Sequence, residues 1–365
     1  MPNILGVLLC DNDTTFSTMP LLGKPCGAYV KDAMLAAGAD ADAFDAEELS
    51  PADDDIVLFA AEHMPCISGL SALAHVSAPC ALVSRDGMPL AIALPAREFG
   101  AFSEPLTMAL LWQRFGSIIE TIEAESEYTG IAVTDAESYT AAFRYLRAQI
   151  VMRHLEAGVI LLDPDRTVIE ADVTIGSGTI VYPNNTLQGH TVIGAGCTLY
   201  PGSRMMDAVV GNDTTVESSV LLSCTVGSHT TVGPFAYLRP QASVGDHCRI
   251  GDFVEIKNSR IDDGTKVSHL TYVGDSDLGK RINLGCGVVF VNYDGKVKHR
   301  TTIEDDAFIG CNVNLVSPVH VGKSAYVAAG STVDQDVPAD ALYIARSRGV
   351  IKEGWVPNRK EKGKL

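Results

Sequence analysis

The sequence predicts an α/β domain followed by a parallel β-helix of hexapeptide repeats. Three observations lead there. Short apolar runs alternate with helix-like segments before about residue 130, and aliphatic residues recur every six positions after Asp165. On that repeating frame, residues 251–279 (GDFVEIKNSRIDDGTKVSHLTYVGDSDLG) display a carboxylate, two lysines, a histidine and a tyrosine, a polar stretch suited to chemistry.

The chain of 365 residues has material for two or three domains, and 46% hydrophobic with 20% charged residues is ordinary globular composition. No apolar run is long enough to span a bilayer, and the N-terminus lacks the pattern of a secretory signal, so a cytoplasmic location is expected. The formal net charge of -17 argues against nucleic-acid binding, which needs a basic face. The cations are unevenly spread: seven of the 28 Lys and Arg fall in residues 1–150, ten between Arg239 and Arg300. Such a cluster suits a phosphorylated small molecule, or equally a solvated polar face. The nine cysteines are scattered, odd in number and never spaced C-x-x-C, which excludes a disulfide framework and a structural zinc site. Small buried residues in a reducing compartment are what that pattern describes.

Residues 4–10 and 55–61 (DIVLFAA) read as buried parallel strands, residues 27–38 as a helix ending at glycine, and residues 39–55 as an acidic link. A further helix is expected around Leu110 and Trp112. Thr134 with Glu137 three places on is a capping-box signature. The helix it opens carries Tyr139, Phe143, Leu146 and Ile150 on one stripe and stops at Gly158. The domains are therefore set at residues 1–133, a linking helix 134–158, the β-helix 159–340, and a tail 341–365.

Ile169, Ile175, Val181, Leu187, Ile193, Leu199 and Met205 fall at strict six-residue intervals, which neither the 3.6 period of a helix nor the alternation of a flat strand enforces. Each six-residue unit is one short strand and a corner, and three units close one triangular coil. After small phase shifts the count continues through Val232, Leu238, Val244, Ile250 and Ile256, then Val267, Val273, Leu284, Ile309 and Leu315, to Val333. Residues 291–301 (VNYDGKVKHRT) are too long for one repeat and must leave the prism as a loop. Loops on a rigid scaffold often carry function, though a tolerated surface excursion explains the insertion too. The tail ends in KEGWVPNRKEKGKL, where Trp355 packs on a neighbouring subunit or lids the last coil.

Six ordered motifs, FAYLRP (235–240), GDFVEIKNS (251–259), KVSHLTYVGD (266–275), NLGCG (283–287), NYDGKVKH (292–299) and AAGSTV (328–333), closely resemble the acetyltransferase domain of the bacterial bifunctional glucosamine-1-phosphate acetyltransferase/N-acetylglucosamine-1-phosphate uridylyltransferase family. The resemblance covers about residues 155–356. It implies a left-handed β-helix, a homotrimer with sites at subunit boundaries, and acetyl transfer from acetyl-CoA to the 2-amino group of glucosamine 1-phosphate. The product serves UDP-N-acetylglucosamine and cell-wall precursor synthesis.

An amine attacks a thioester only as the free base, so the site wants a proton acceptor near neutrality, and histidine ordinarily titrates at about 6.5. His269, two places after Val267, should point away from the prism interior, and it resembles the family's general base. By the same resemblance Glu255 accepts a hydrogen bond from that imidazole. Arg239, Lys257, Tyr272 and Lys298 resemble the residues that bind the sugar phosphate, and Asn283 the one that contacts the sugar near the amine. Asn292, Tyr293, Cys286, Cys311, Ala329 and Arg346 match positions that contact acetyl-CoA. No metal is expected for this transfer. Cys286 and Val288 depart from the family's usual Ala and Thr, and Cys311 replaces a small hydroxyl residue; backbone contacts to the thioester would survive such changes, but a side-chain hydroxyl contact would not.

The first domain departs further. Residues 19–40 resemble the start of a sugar-nucleotide transferase, but residues 10–16 (CDNDTTF) lack the glycine-rich loop whose amides cradle a nucleotide phosphate. His63 stands where the family's metal-binding aspartate is expected, and Thr134 where an asparagine ligand is expected. A reduced nucleotidyltransferase-like domain without uridylyltransferase activity is the expectation. The alternatives are an acyltransferase for another amino sugar or sugar nucleotide, and a non-catalytic scaffold.

Overall fold

Alternation along one strand explains the layering of the N-terminal unit. In the computed structural model, which describes all residues except 1–2, 10–14, 41–51, 75, 77, 99–105, 126 and 365, strand β2 (Ile56–Ala61) is buried at every position. Ile56, Leu58 and Ala60 join a core with Val30 and Met34 of helix α1 (Cys26–Ala36). Val57, Phe59 and Ala61 join another with Met108, Leu111 and Phe115 of helix α2 (Met108–Phe115). Successive side chains of a strand point to opposite faces, so one run of apolar residues holds a helix on each side.

The sheet has five strands. Strand β1 (Ile4–Leu9) runs parallel to β2. Strand β3 (Cys80–Val83) and strand β4 (Pro89–Pro95) pair antiparallel, β4 also pairs antiparallel with β2, and β3 pairs parallel with strand β5 (Glu120–Glu123). The domain is thus mixed rather than all-parallel. The absent glycine-rich loop, residues 10–16, lies largely outside the described residues, as does most of the acidic link 39–55.

Helix α3 (Ala136–Glu156) starts one residue later than the capping signature suggested. Asp135 is the N-cap, its carboxylate accepting from the Ser138 backbone at 2.8 Å, and the Ser138 hydroxyl returns to the Asp135 amide side. Asp135-x-x-Ser138 outcompetes Thr134-x-x-Glu137 because a carboxylate at the N-cap also meets the positive end of the helix. This helix belongs to the N-terminal compact unit, which comprises residues 1–157 together with 168–173 and 187–189.

The second unit is a left-handed parallel β-solenoid whose short strands stack into three sheets of 10, 9 and 11 strands. The predicted register residues form its interior. Val232, Ile250, Val267, Leu284, Ile309 and Val327 lie one above another in successive coils, each at most 2% exposed. A second interior ladder runs Leu238, Ile256, Val273, and a third Val244, Ile261, Leu278, Ile303. The period of six is therefore the period of one face.

Corner residues complete the frame. At the inner corner a small polar residue donates to a carbonyl of the next coil: Thr230 Oγ1 to Gly245 O at 2.9 Å, and Thr265 Oγ1 to Gly279 O at 2.8 Å. Cys197 and Cys248 occupy the same kind of position, their thiols reaching Gly211 O at 3.1 Å and Asp262 O at 3.3 Å. Burial pushes the Cys248 thiol up to about 11. The tail forms a short helix, Trp355–Glu361, with Trp355 exposed and the Arg359 guanidinium 4.9 Å from its ring.

Candidate functional site

One corner of the prism gathers the chemistry. Asp252 and His269 are paired in register as the outermost residues of strands Arg249–Asp252 and Lys266–His269, two places past the buried Ile250 and Val267. Two places past Leu284, Ile309 and Val327 stand Cys286, Cys311 and Ala329. The backbone ladder continues through them: Gly287 N to His269 O, Asn312 N to Cys286 O at 2.8 Å, Gly330 N to Cys311 O at 2.8 Å. Asp252, His269, Cys286, Cys311 and Ala329 thus form one column along the outside of the solenoid. Glycine keeps it tight, since a Cβ on Gly251 would overlap the Ser268 carbonyl oxygen.

His269 Nδ1 lies 2.5 Å from Asp252 Oδ1. Bonding to the imidazole holds the Asp252 carboxyl below the usual carboxylate range. With Nδ1 engaged, Nε2 of the half-exposed ring remains for a ligand. The expectation that Glu255 orients the imidazole is corrected here. Glu255 stands in register with Tyr237 and Tyr272, on the next face, and its carboxylate accepts from Arg239 Nη1 at 2.8 Å. A coil of 17 residues puts residue 252, not 255, beside 269.

That next face, built from strands Tyr237–Leu238, Glu255–Lys257 and Tyr272–Gly274, carries the cations. Lys257 Nζ is 3.6 Å from Asp275 Oδ2, and its pKa is raised by its hydrogen bond with Lys298. Lys298 is pushed below the ordinary lysine range by that same contact and by the Lys257 charge, with Arg239 adding to the effect. Three cationic side chains therefore converge where two lysine amines already compete for charge, an arrangement that an anion would relieve.

Asp275 organises the floor beneath them. Its carboxylate accepts from Asn258 Nδ2 at 2.6 Å and Asn292 Nδ2 at 2.5 Å, and its acidity reflects those bonds and Lys257 outweighing the burial that opposes them. Asn292 Nδ2 also lies 3.4 Å from the Tyr272 hydroxyl. Glycine at 274 leaves room for this packing, because a Cβ there would overlap the Tyr272 hydroxyl and approach Asn292 Nδ2 to 2.6 Å, so those side chains would have to shift.

The predicted loop is held as a hairpin. Tyr293 and Lys298 form an antiparallel bridge, and Asp294 accepts from the Lys296 and Val297 amides and from His299 Nε2, all at 2.7 Å. Those bonds drive the Asp294 carboxyl far below its usual range. Tyr293 is exposed, its hydroxyl donating to Gly295 O at 2.8 Å.

Not all predicted residues meet within one chain. Asn283 pairs in register with Lys266 and Phe308, on the sheet that precedes the His269 corner rather than the cation-bearing face. Arg346 is exposed, one residue past Ala345, whose amide donates to Ser331 Oγ at 3.1 Å. Asp252 and Asp275 are the site residues that sequence reasoning missed. Among the described residues no group of three or more His, Cys, Asp or Glu is placed to hold a metal, and no helix is long and apolar enough to cross a membrane.

Comparison with known proteins gives two family models within the solenoid: bacterial transferase hexapeptide (six repeats) at residues 223–258, and hexapeptide repeat of succinyl-transferase at residues 300–335. The bifunctional protein GlmU of Clostridium acetobutylicum is 56% identical over 216 residues, 59% of this chain and 47% of that protein. That of Caldanaerobacter subterraneus is 50% identical over 253 residues, 69% of this chain and 55% of that protein. The chain spans about half the length of the curated relatives it matches. Among solved structures an Arabidopsis UDP-N-acetylglucosamine acyltransferase aligns at 16% identity and TM-score 0.32, covering 57% of this chain and 76% of that one.

Proposed function

We propose, from the premise that this chain is homologous to bacterial bifunctional GlmU proteins, that it transfers the acetyl group of acetyl-CoA to the 2-amino group of glucosamine 1-phosphate. The observation that carries the reading is the adjacency of an imidazole anchored by Asp252 to a face bearing Arg239, Lys257 and Lys298.

In this reading the sugar phosphate lies against the cations. The Arg239 guanidinium offers two donors and the lysines point charge to the phosphate oxygens. Nε2 of His269 accepts the proton of the amine as its nitrogen attacks the thioester carbonyl. The carbon–sulfur bond then breaks, and the CoA thiolate departs as the thiol with the proton that the His269 imidazolium returns. Asp252 acts through His269, fixing the tautomer and stabilising the imidazolium as it forms. Acetyl-CoA follows the corner column, its thioester near Cys286, Cys311 and Ala329, with Asn292, Tyr293 and Arg346 as further contacts. Glu255 serves the sugar-phosphate side by positioning Arg239.

We also propose a homotrimer. Phe235, Phe253 and Leu270, each more than half exposed, follow Pro234, Asp252 and His269 at the same corner, and the Phe235 and Phe253 rings stack with centroids 5.5 Å apart. A neighbouring copy covering this apolar stripe would bring an Asn283 from its own chain toward the site. We expect a cytoplasmic protein of UDP-N-acetylglucosamine and cell-wall precursor synthesis, without uridylyltransferase activity.

Release of CoA thiol in the presence of glucosamine 1-phosphate, run beside UTP with N-acetylglucosamine 1-phosphate, tests the assignment. Turnover in the first assay that His269→Ala abolishes supports it. Turnover only with another amino sugar would move the acceptor, and none with any would leave a scaffold.

A further inference from the structure

We infer that Cys286 and Cys311 form a modification site, a dithiol that a low-molecular-weight disulfide oxidises to an intramolecular disulfide beside His269. Strand Asn283–Leu284 pairs in register with Phe308–Ile309, so two residues on Cys286 and Cys311 stand at the same level of adjacent coils. The Asn312 amide donates to Cys286 O at 2.8 Å, and a Cβ on Gly285 would meet Cys311 N at 2.5 Å, so the two corners are in contact. Neighbouring strands lie about 4.8 Å apart, within the roughly 4.4–6.8 Å between Cα atoms that a disulfide spans. Side chains of this column do reach one another, as Asp252 and His269 show.

These two thiols also differ from the other cysteines among the described residues. Cys26, Cys66, Cys80, Cys197, Cys224 and Cys248 are buried, whereas Cys286 is partly exposed and Cys311 exposed. Burial raises the Cys66 and Cys224 thiols to about 12, which keeps them from the thiolate form that attacks disulfides. Cys197 and Cys248 donate to corner carbonyls in place of a threonine hydroxyl. Among the described residues neither Cys286 nor Cys311 makes such a bond, and both are more exposed than the other described cysteines.

The exchange balances without a metal or oxygen. One cysteine thiolate attacks the small disulfide, forming a mixed disulfide and releasing one small thiol. The other cysteine then attacks the protein-bound sulfur, forming the Cys286–Cys311 bond and releasing the second small thiol. The two cysteine protons end on the two products, and a dithiol reductant reverses the sequence. If the thioester runs along this column, as the proposed function has it, the closed form blocks acetyl transfer.

The test treats the full chain with oxidised glutathione, alkylates remaining thiols and maps peptides by mass spectrometry. The expected result is a linked Cys286–Cys311 species, reversed by dithiothreitol and absent from Cys286→Ser and Cys311→Ser. Both cysteines staying alkylatable, or each carrying glutathione with no linked species, overturns the inference. In parallel, thioester consumption by the linked protein should fall about tenfold or more and return on reduction. Unchanged turnover in fully linked protein overturns the block, whereas no turnover even when reduced overturns the proposed function and leaves the linkage standing.

Discussion

His269 Nδ1 and Asp252 Oδ1 lie 2.5 Å apart across adjacent coils, and this contact, rather than one to Glu255, orients the imidazole. Both residues end strands of one sheet, so coil stacking itself sets the pair. Glu255 shares a face with Lys257 but turns to Arg239, which separates two carboxylates into two tasks. In the proposed reaction, one would steady the base and the other the guanidinium that faces the phosphate.

Exchanging each carboxylate for its amide should therefore produce different kinetics. Asp252→Asn keeps a hydrogen-bond acceptor but no charge to balance an imidazolium, and kcat should fall by about ten- to a hundredfold with KM little changed. That is part of the roughly 10²–10⁴-fold a general base supplies, all of which His269→Ala should remove. Glu255→Gln should instead raise KM for the sugar phosphate. Because the Arg239–Glu255 pair is partly exposed, its loss should cost less than about 1 kcal/mol of stability. Equal kcat losses in the two variants would refute the division of labour.

Gly274→Ala tests the packing beneath the cations. The added methyl must displace the Tyr272 hydroxyl or the Asn292 amide, at a cost of about 1–3 kcal/mol for an overfilled site. KM for the sugar phosphate should rise while kcat at saturation changes less. A variant with unaltered KM and unaltered thermal midpoint would show that Tyr272 is free to move aside.

The lysine pair predicts a pH dependence of binding. Lys298 titrates below the ordinary lysine range because Lys257 bonds to it and repels its proton. A phosphate would restore that proton, so binding should take up protons at alkaline pH and weaken as pH rises through the depressed pKa. Calorimetry in two buffers of different ionisation enthalpy measures the uptake. Lys298→Gln should abolish it and weaken binding roughly tenfold or more, the worth of a charge-assisted hydrogen bond. Proton uptake persisting in Lys298→Gln would assign it elsewhere.

The solenoid was legible because a prism with three flat faces enforces its period on the chain. Val267, Leu284 and Ile309 are buried whatever the corners contain. The site was legible in part. Arg239, Lys257, Tyr272 and Lys298 lie near one another, their proposed role toward a phosphate aside, whereas the motifs point to a carboxylate that shares a strand with Lys257 and not to Asp252. The signal was present, since residues 252 and 269 each stand two places past a register aliphatic. In the first domain, pairing of Pro89–Pro95 with Ile56–Ala61 depends on contacts distant in sequence, which local apolar runs do not report. The helix cap shifted by one residue because two overlapping capping patterns compete within five positions.

His154 gives the N-terminal unit its own pH sensitivity. It is 4% exposed on helix α3, and its Nε2 has no hydrogen-bond partner among the described residues. Burial, aided by the Arg153 charge, lowers its pKa to about 4. The folded state therefore holds the ring neutral while the unfolded chain protonates it at about 6.5, so stability is full above that value and is lost as pH falls toward 4. The whole loss is on the order of 3 kcal/mol, following from about 1.4 kcal/mol for each tenfold change in proton affinity. Urea unfolding at pH 7 and pH 5, followed by fluorescence in a Trp355→Phe background that leaves Trp112 as the reporter, should show the decline with His154 in place. In His154→Leu the decline should be smaller, because no proton is left to bind on unfolding. Parallel declines in the two proteins would place the acid sensitivity on other groups.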